Sequence, residues 1–121
     1  MEKVVYTRQH LWIKIQDNIC EIGLTDYAQS ELGAIMFVNL PNVDDEVRIN
    51  EQMGDVESIK TVSELLSPVS GNVVEKNELT ESNPNVINEK PYETWLVRVK
   101  YKSIGEFFMT EDEYKSYMES L

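Results

Sequence analysis

Gly54-Asp55-Val56-Glu57-Ser58-Ile59-Lys60-Thr61-Val62-Ser63-Glu64-Leu65-Leu66-Ser67-Pro68-Val69-Ser70-Gly71 is the stretch on which the reading of this chain turns. Apolar and polar residues alternate around Val56 to Ile59, the period of a half-buried strand. Lys60 follows at once, between Ile59 and Thr61, two β-branched residues that are stiff at χ1. Pro68 and Gly71 then punctuate the chain before a second strand-like run at Val73 and Val74. The pattern predicts a hairpin that holds Lys60 at its tip, out from a rigid sheet. A surface lysine near a turn is ordinarily only solvated charge, and local pattern does not by itself separate that from a lysine displayed to other enzymes.

Composition narrows the choices. A chain of 121 residues with 41% apolar content predicts one domain, residues 1–121, able to bury its own core. No apolar run is long enough to span a membrane, so no membrane role is expected. The start, Met1-Glu2-Lys3-Val4, has neither the apolar core of a secretory signal nor an Arg-rich transit character. If that start is native, the expected location is the cytoplasm; an organelle such as the mitochondrion follows only if a transit peptide was removed. The net charge of −11 repels phosphate backbones, which argues against nucleic acid as a partner. It either steers the chain to basic docking faces or simply keeps a small protein soluble.

One cysteine, Cys20, and one histidine, His10, exclude an internal disulfide, a zinc cluster and a His-based triad. No metal is expected. Cys20 falls in step with Ile22 and Leu24 and reads as a core residue rather than a reactive thiol.

Outward from the hairpin, the chain reads as short strands and turns. Val4-Val5-Tyr6 predicts an edge strand. Leu11, Ile13 and Ile15 alternate with Trp12, Lys14 and Gln16; Asp17-Asn18 is a two-residue turn; residues 19–24 return, completing an N-terminal hairpin. Asp26 is the expected cap, with Gln29 at capping-box spacing, of a helix over 27–32 that Gly33 stops. Residues 35–41 read as a buried strand ended by Pro41, Asp44-Asp45-Glu46 as a turn, and Val47-Arg48-Ile49 as a strand. Residues 71–77 leave the lysine hairpin, and a polar connection begins at Asn77-Glu78. Ser82 or Asn83 would cap one helical turn with Pro84 in its first position. Residues 88–92 read as loop, and residues 95–101 as the last strand. In the tail, Ser103 with Glu106 and Thr110 with Glu113 have capping-box spacing. Tyr114, Tyr117, Met118 and Leu121 share a helical face, expected to dock on the sheet, the alternative being an interface with another protein.

The run Glu57-Ser58-Ile59-Lys60-Thr61-Val62-Ser63-Glu64, closed by Ser67-Pro68-Val69-Ser70-Gly71, resembles the lipoyl-lysine segment of the glycine cleavage system H protein family. Gly23-Leu24-Thr25-Asp26-Tyr27-Ala28-Gln29-Ser30-Glu31-Leu32-Gly33 resembles a second segment of that family, and the likeness runs from about Tyr6 to Tyr117. It implies a mainly β fold: a lipoyl-domain-like β sandwich, or barrel-sandwich hybrid, with an N-terminal hairpin and short flanking helices, one of them C-terminal. It implies lipoate attached covalently as an amide at Lys60. Glu57 and Glu64 would mark the lysine for the lipoate-attaching enzyme, or be mere solvated carboxylates. His10 and Leu11 would belong to the cleft that shelters the loaded arm.

The same resemblance implies a non-catalytic carrier, expected as a monomer. Its arm would take an aminomethyl group from glycine decarboxylase, a pyridoxal phosphate enzyme. Aminomethyltransferase would pass the carbon to tetrahydrofolate, and dihydrolipoamide dehydrogenase would re-oxidise the dithiol. Three positions depart from the family pattern. Leu11 stands where the family has glutamate between histidine and tryptophan, Glu64 where aspartate is usual, and Thr94 where glycine precedes the tryptophan. Leu11 brings no charge to a cationic amine, which leaves open an H-like lipoyl protein with a relay, regulatory or redox role. Biotin carriers, with methionines flanking the lysine, and lipoyl domains with Asp-Lys-Ala fit less well. An unmodified scaffold is the remaining class.

Overall fold

Alternating segments become strands, and the two sheets they form bury one face each against the other. The computed structural model describes residues 2–105 and 108–121. In chain order the elements are β1 (Glu2–Tyr6), β2 (Leu11–Gln16), β3 (Ile19–Leu24), α1 (Asp26–Leu32), β4 (Ile35–Asn39), β5 (Glu46–Val47), β6 (Gln52–Ser58), β7 (Val62–Leu66), β8 (Val69–Lys76), α2 (Glu78–Ser82), α3 (Asn85–Glu89), β9 (Trp95–Ile104) and α4 (Glu111–Glu119). One sheet has the order β1-β2-β3-β9-β8-β5; the other is β4-β6-β7. All the pairings are antiparallel. The fold is mainly β, with short helices at its margins, as the sequence predicts.

The core lies between the sheets. Ile13, Cys20, Ile22, Val73, Val97 and Val99 come from the larger sheet, and Val38, Val56 and Leu65 from the smaller. Each buried aliphatic side chain of this size is worth about 1.5–3 kcal/mol over an exposed one. Cys20 is fully buried, and burial pushes its thiol up to about 12, which leaves it inert at neutral pH. Trp12 is buried too, although alternation points it away from the core. Its indole Nε1 donates to the carbonyl of Pro91 (2.9 Å). Gly23 makes room for the ring, since a Cβ there would lie 2.3 Å from Trp12 Cε2.

Several boundaries differ from the sequence reading, each for a local reason. The α1 cap is Thr25, not Asp26: the Thr25 hydroxyl accepts from the Ala28 N–H, and Asp26 Oδ1 instead accepts from the Gln29 side chain. The strand expected at 35–41 is not buried throughout, and it ends at Asn39. A bulge between Ile35 and Phe37 leaves Met36 and Phe37 exposed while Ile35 and Val38 face the core. The strand expected at 47–49 is β5, displaced to Glu46–Val47; the Ile49 N–H goes to the Ser70 hydroxyl (3.0 Å) instead of a ladder. The strand leaving the lysine hairpin begins at Val69. The polar connection at 77–78 contains a capped helix, α2, whose cap is Asn77. The turn after Pro84 is α3, with Pro84 itself at the cap and no side-chain cap bond, so residues 88 and 89 are helical rather than loop.

The last strand runs on to Ile104, which makes Ser103 a strand residue; its expected partner Glu106 lies outside the described residues. The Thr110–Glu113 capping box is present in both directions (3.2 and 2.9 Å). Helix α4 docks on β1 through Tyr114, which is buried and stacked on Tyr6 with ring centroids 5.0 Å apart. Tyr117 and Met118 are half-buried, and Leu121 is exposed. No helix is long and apolar enough to cross a membrane, among the described residues.

Candidate functional site

The hairpin begins from pairing. Glu57 on β6 opposes Val62 on β7, and the Ser58 N–H donates to the Thr61 carbonyl (2.8 Å). Ile59 and Lys60 are left as the loop. Two-residue hairpin loops usually need positive φ, yet neither residue takes it. The side chain of Ser58 compensates: its Oγ accepts from the backbone N–H of Lys60 (3.1 Å) and of Thr61 (3.2 Å). Lys60 is exposed, as the sequence predicts for a residue at the tip.

The tip does not stand alone. The Ile59 N–H donates to the carbonyl of Ala34 (3.1 Å), which ties the hairpin to the turn after α1. Gly33 stops that helix at φ 76° and ψ −157°, a backbone shape that favours glycine. The Lys60 stem passes beside it, with Cε 3.5 Å from where a Gly33 Cβ would be. From below, Asn88 of α3 fastens the same turn. Its amide donates to the Gly33 carbonyl and to Gln29 Oε1 (both 2.9 Å), and its Oδ1 accepts from the Ile35 N–H (3.0 Å). Nothing in the local sequence marks Asn88, because its partners lie more than fifty residues away.

Beside the hairpin, between α1, β7 and the turn before β2, lies a cleft of about 160 Å³. His10, Leu11, Tyr27, Glu31, Ser63 and Glu64 are among its walls. Glu64 borders the cleft with His10 and Leu11 from the edge strand β7, although its pairing with Asp55 puts it on the same outer face as Glu57, which does not reach the cleft. Leu11 is buried and contributes an apolar wall. The carboxylates at the cleft are Glu31 and Glu64. Sequence reasoning passed over Glu31; its spacing of four from Tyr27 on a helix that opens at Thr25 was the available signal. The side-chain hydrogen bond between Tyr27 and Glu31 raises the phenol above its ordinary value, with burial adding to it. A larger cavity of about 420 Å³ adjoins this cleft at Gln9 and Leu66, and among the described residues Arg8 is the one charged group on its walls.

His10 adopts φ 65°, and its carbonyl accepts from the Thr25 N–H (3.0 Å). Its Nδ1 shares a hydrogen bond with the Tyr114 hydroxyl (2.8 Å), which in turn lies 2.9 Å from Thr25 Oγ1. Burial lowers the imidazole below its ordinary value, against the opposing pull of the Glu31 charge. Burial also pushes the Tyr114 phenol up to about 12. Burial thus favours the neutral imidazole, which acts as a joint between the cleft wall and α4.

On the outer face of the β4-β6-β7 sheet two cross-strand rows lead up to the tip. Phe37, Glu57 and Val62 form one, and Asn39, Asp55 and Glu64 the other. An exposed amine on a braced tip, beside a cleft with apolar walls and two carboxylates, can be acylated from outside. It can then lay an apolar arm along β7.

The comparisons with known proteins agree with one another. The sequence model of the family described as glycine cleavage H-protein matches residues 4–121. The glycine cleavage system H protein of Staphylococcus haemolyticus is 49% identical over 113 residues, covering 91% of this chain and 90% of its own. That of Staphylococcus carnosus is 46% identical over 117 residues, covering 94% and 93%. The crystal structure of a glycine cleavage system H protein from Mycobacterium marinum superposes with a TM-score of 0.90 at 38% identity, over 98% of this chain and 97% of the other.

Proposed function

The chain belongs to the glycine cleavage H-protein family, and from that premise we propose that it is the lipoyl carrier of the glycine cleavage system, with lipoate held as an amide on Lys60. The single observation that carries the assignment of the lysine is its place at the braced tip of the β6–β7 hairpin, exposed and beside the cleft. When attached, lipoate would supply a disulfide able to open and hold the aminomethyl group left when glycine loses CO2, and the dithiol left after transfer would be re-oxidised by thiol–disulfide exchange with dihydrolipoamide dehydrogenase.

The residues of the chain position and shelter. Ser58 fixes the turn, and Ala34 and Gly33 set the direction of the lysine stem. Leu11 and Leu65 offer apolar wall to the arm, and Ser63 borders it. Glu31 and Glu64 supply the negative charge that Leu11 does not, which answers the departure from the family pattern at that position. Glu57 and Glu64 serve as marks for the lipoate-attaching enzyme. No side chain of this chain performs an acid–base step; tethering raises the concentration of the arm at each enzyme it visits. Those enzymes are glycine decarboxylase, aminomethyltransferase and dihydrolipoamide dehydrogenase, and residues 1–121 act as one carrier unit. The bacterial relatives support a cytoplasmic place of work.

The test is exchange of labelled bicarbonate into glycine by a glycine decarboxylase given the lipoylated chain. Glycine-dependent exchange is expected. Its absence, with a lipoylated relative active in the same assay, would overturn the carrier role in glycine cleavage.

A further inference from the structure

Regular alternation would turn one of two neighbouring residues of β4 inward. The bulge at Ile35/Phe37 instead exposes both Met36 (51%) and Phe37 (59%). Across the sheet, Val62 is 57% exposed, and Ile59 at the tip is 65% exposed. Phe37 and Val62 stand on either side of Glu57 in one row, about 10 Å apart at two strand spacings. Asp55 and Glu64 lie in the next row. Strands β4, β6 and β7 contain these three acids and no lysine or arginine. The face is therefore an apolar patch set among carboxylates, ending at Lys60.

We propose that this outer face, anchored by Phe37 and Val62 with Glu57 between them, is where the lipoate-attaching enzyme docks. The inference rests on the reading of Lys60 as the attachment site. Reach selects this partner over the others. An enzyme that works on the far end of the arm can stand off by the length of that arm. The enzyme that acylates the bare amine must come within one lysine side chain of the hairpin, and so meets the two rows leading to it. Charge defines its surface: basic side chains around an apolar hollow that admits an aromatic ring. The amine must also be neutral to attack an activated acid, so that enzyme brings the group that removes the proton; the flanking acids orient and do not activate.

The test uses the full, unlipoylated chain with a bacterial lipoate–protein ligase, ATP and lipoate. Lipoyl formation is followed by intact mass, and ligase affinity by calorimetry. Phe37→Ser with Val62→Ser is expected to raise KM roughly tenfold or more, with kcat within about twofold and affinity falling in parallel. Phe37→Leu should recover most of the loss, and added salt should weaken binding of the unaltered chain. Val74→Ser, an exposed apolar residue on the other sheet, should change neither. An unchanged KM and affinity in Phe37→Ser/Val62→Ser, with the melting transition retained, would overturn the proposal. So would a loss confined to kcat. Failure of the unaltered chain to gain a lipoyl group would instead overturn the reading of Lys60, while the affinity comparison would still decide the docking face.

Discussion

The side-chain amide of Asn88 donates a 2.9 Å hydrogen bond to the carbonyl of Gly33, and the lysine hairpin rests on the turn that this bond secures. Asn88 makes two further bonds, to Gln29 and to Ile35. Asn88→Ala leaves the half-buried Gly33 carbonyl and the Ile35 N–H to find water. The expected cost is about 1–3 kcal/mol, measured by urea unfolding. Amide exchange at Ile59, which bonds Ala34 in the same turn, should quicken beyond what the global loss explains.

Ser58→Ala removes the acceptor shared by the Lys60 and Thr61 amides. Both amides are exposed and can turn to water, so the stability loss should stay below about 1 kcal/mol. The local effect should be larger than the global one, with faster exchange at those two amides. Equal exchange in the two proteins would mean that the serine does not hold the turn.

His10 supplies a pH dependence with a definite sign. Burial lowers its folded value below the 6.5 of an ordinary imidazole. Between the folded and unfolded values the unfolded chain binds more protons, so stability rises with pH there. The contribution is full above about 6.5 and is lost as the pH falls through the folded value. His10→Asn keeps a residue that tolerates φ 65°. It should flatten the stability profile below about pH 6.5 relative to the parent. A parallel profile would contradict the assignment.

Tyr114→Phe keeps the ring stacked on Tyr6 and deletes the hydroxyl between His10 and Thr25. Thr25 retains its cap to Ala28. The expected loss is about 1–2 kcal/mol, read as a lower denaturation midpoint with an unchanged m-value.

These bonds also explain what was legible in the chain. The Val56–Ile59 alternation and the Pro68–Gly71 punctuation are local signals, and the hairpin they predict is where Lys60 stands. The Thr110–Glu113 box is equally local. Thr25 was misread because Asp26 is an equally good cap by residue type; what favours Thr25 is a phenol 89 residues away that bonds its hydroxyl. Phe37 was misread because hydrophobicity predicts burial, and a one-residue bulge reverses that without leaving a pattern. Helix α2, five residues long, is too short for its period to show. Glu31 joins the cleft only once α1 packs beside β7, so a change at position 11 looked uncompensated from the sequence alone.

The measurement that bears most directly on the central claim is an intact mass, with peptide mapping, of the chain co-expressed with lipoylating enzymes and lipoate, beside Lys60→Arg. One lipoyl group on Lys60, and none on the folded Lys60→Arg variant, is the predicted result. A lipoyl group that persists in that variant, or an unmodified parent beside a fully lipoylated relative from the same cells, would contradict it.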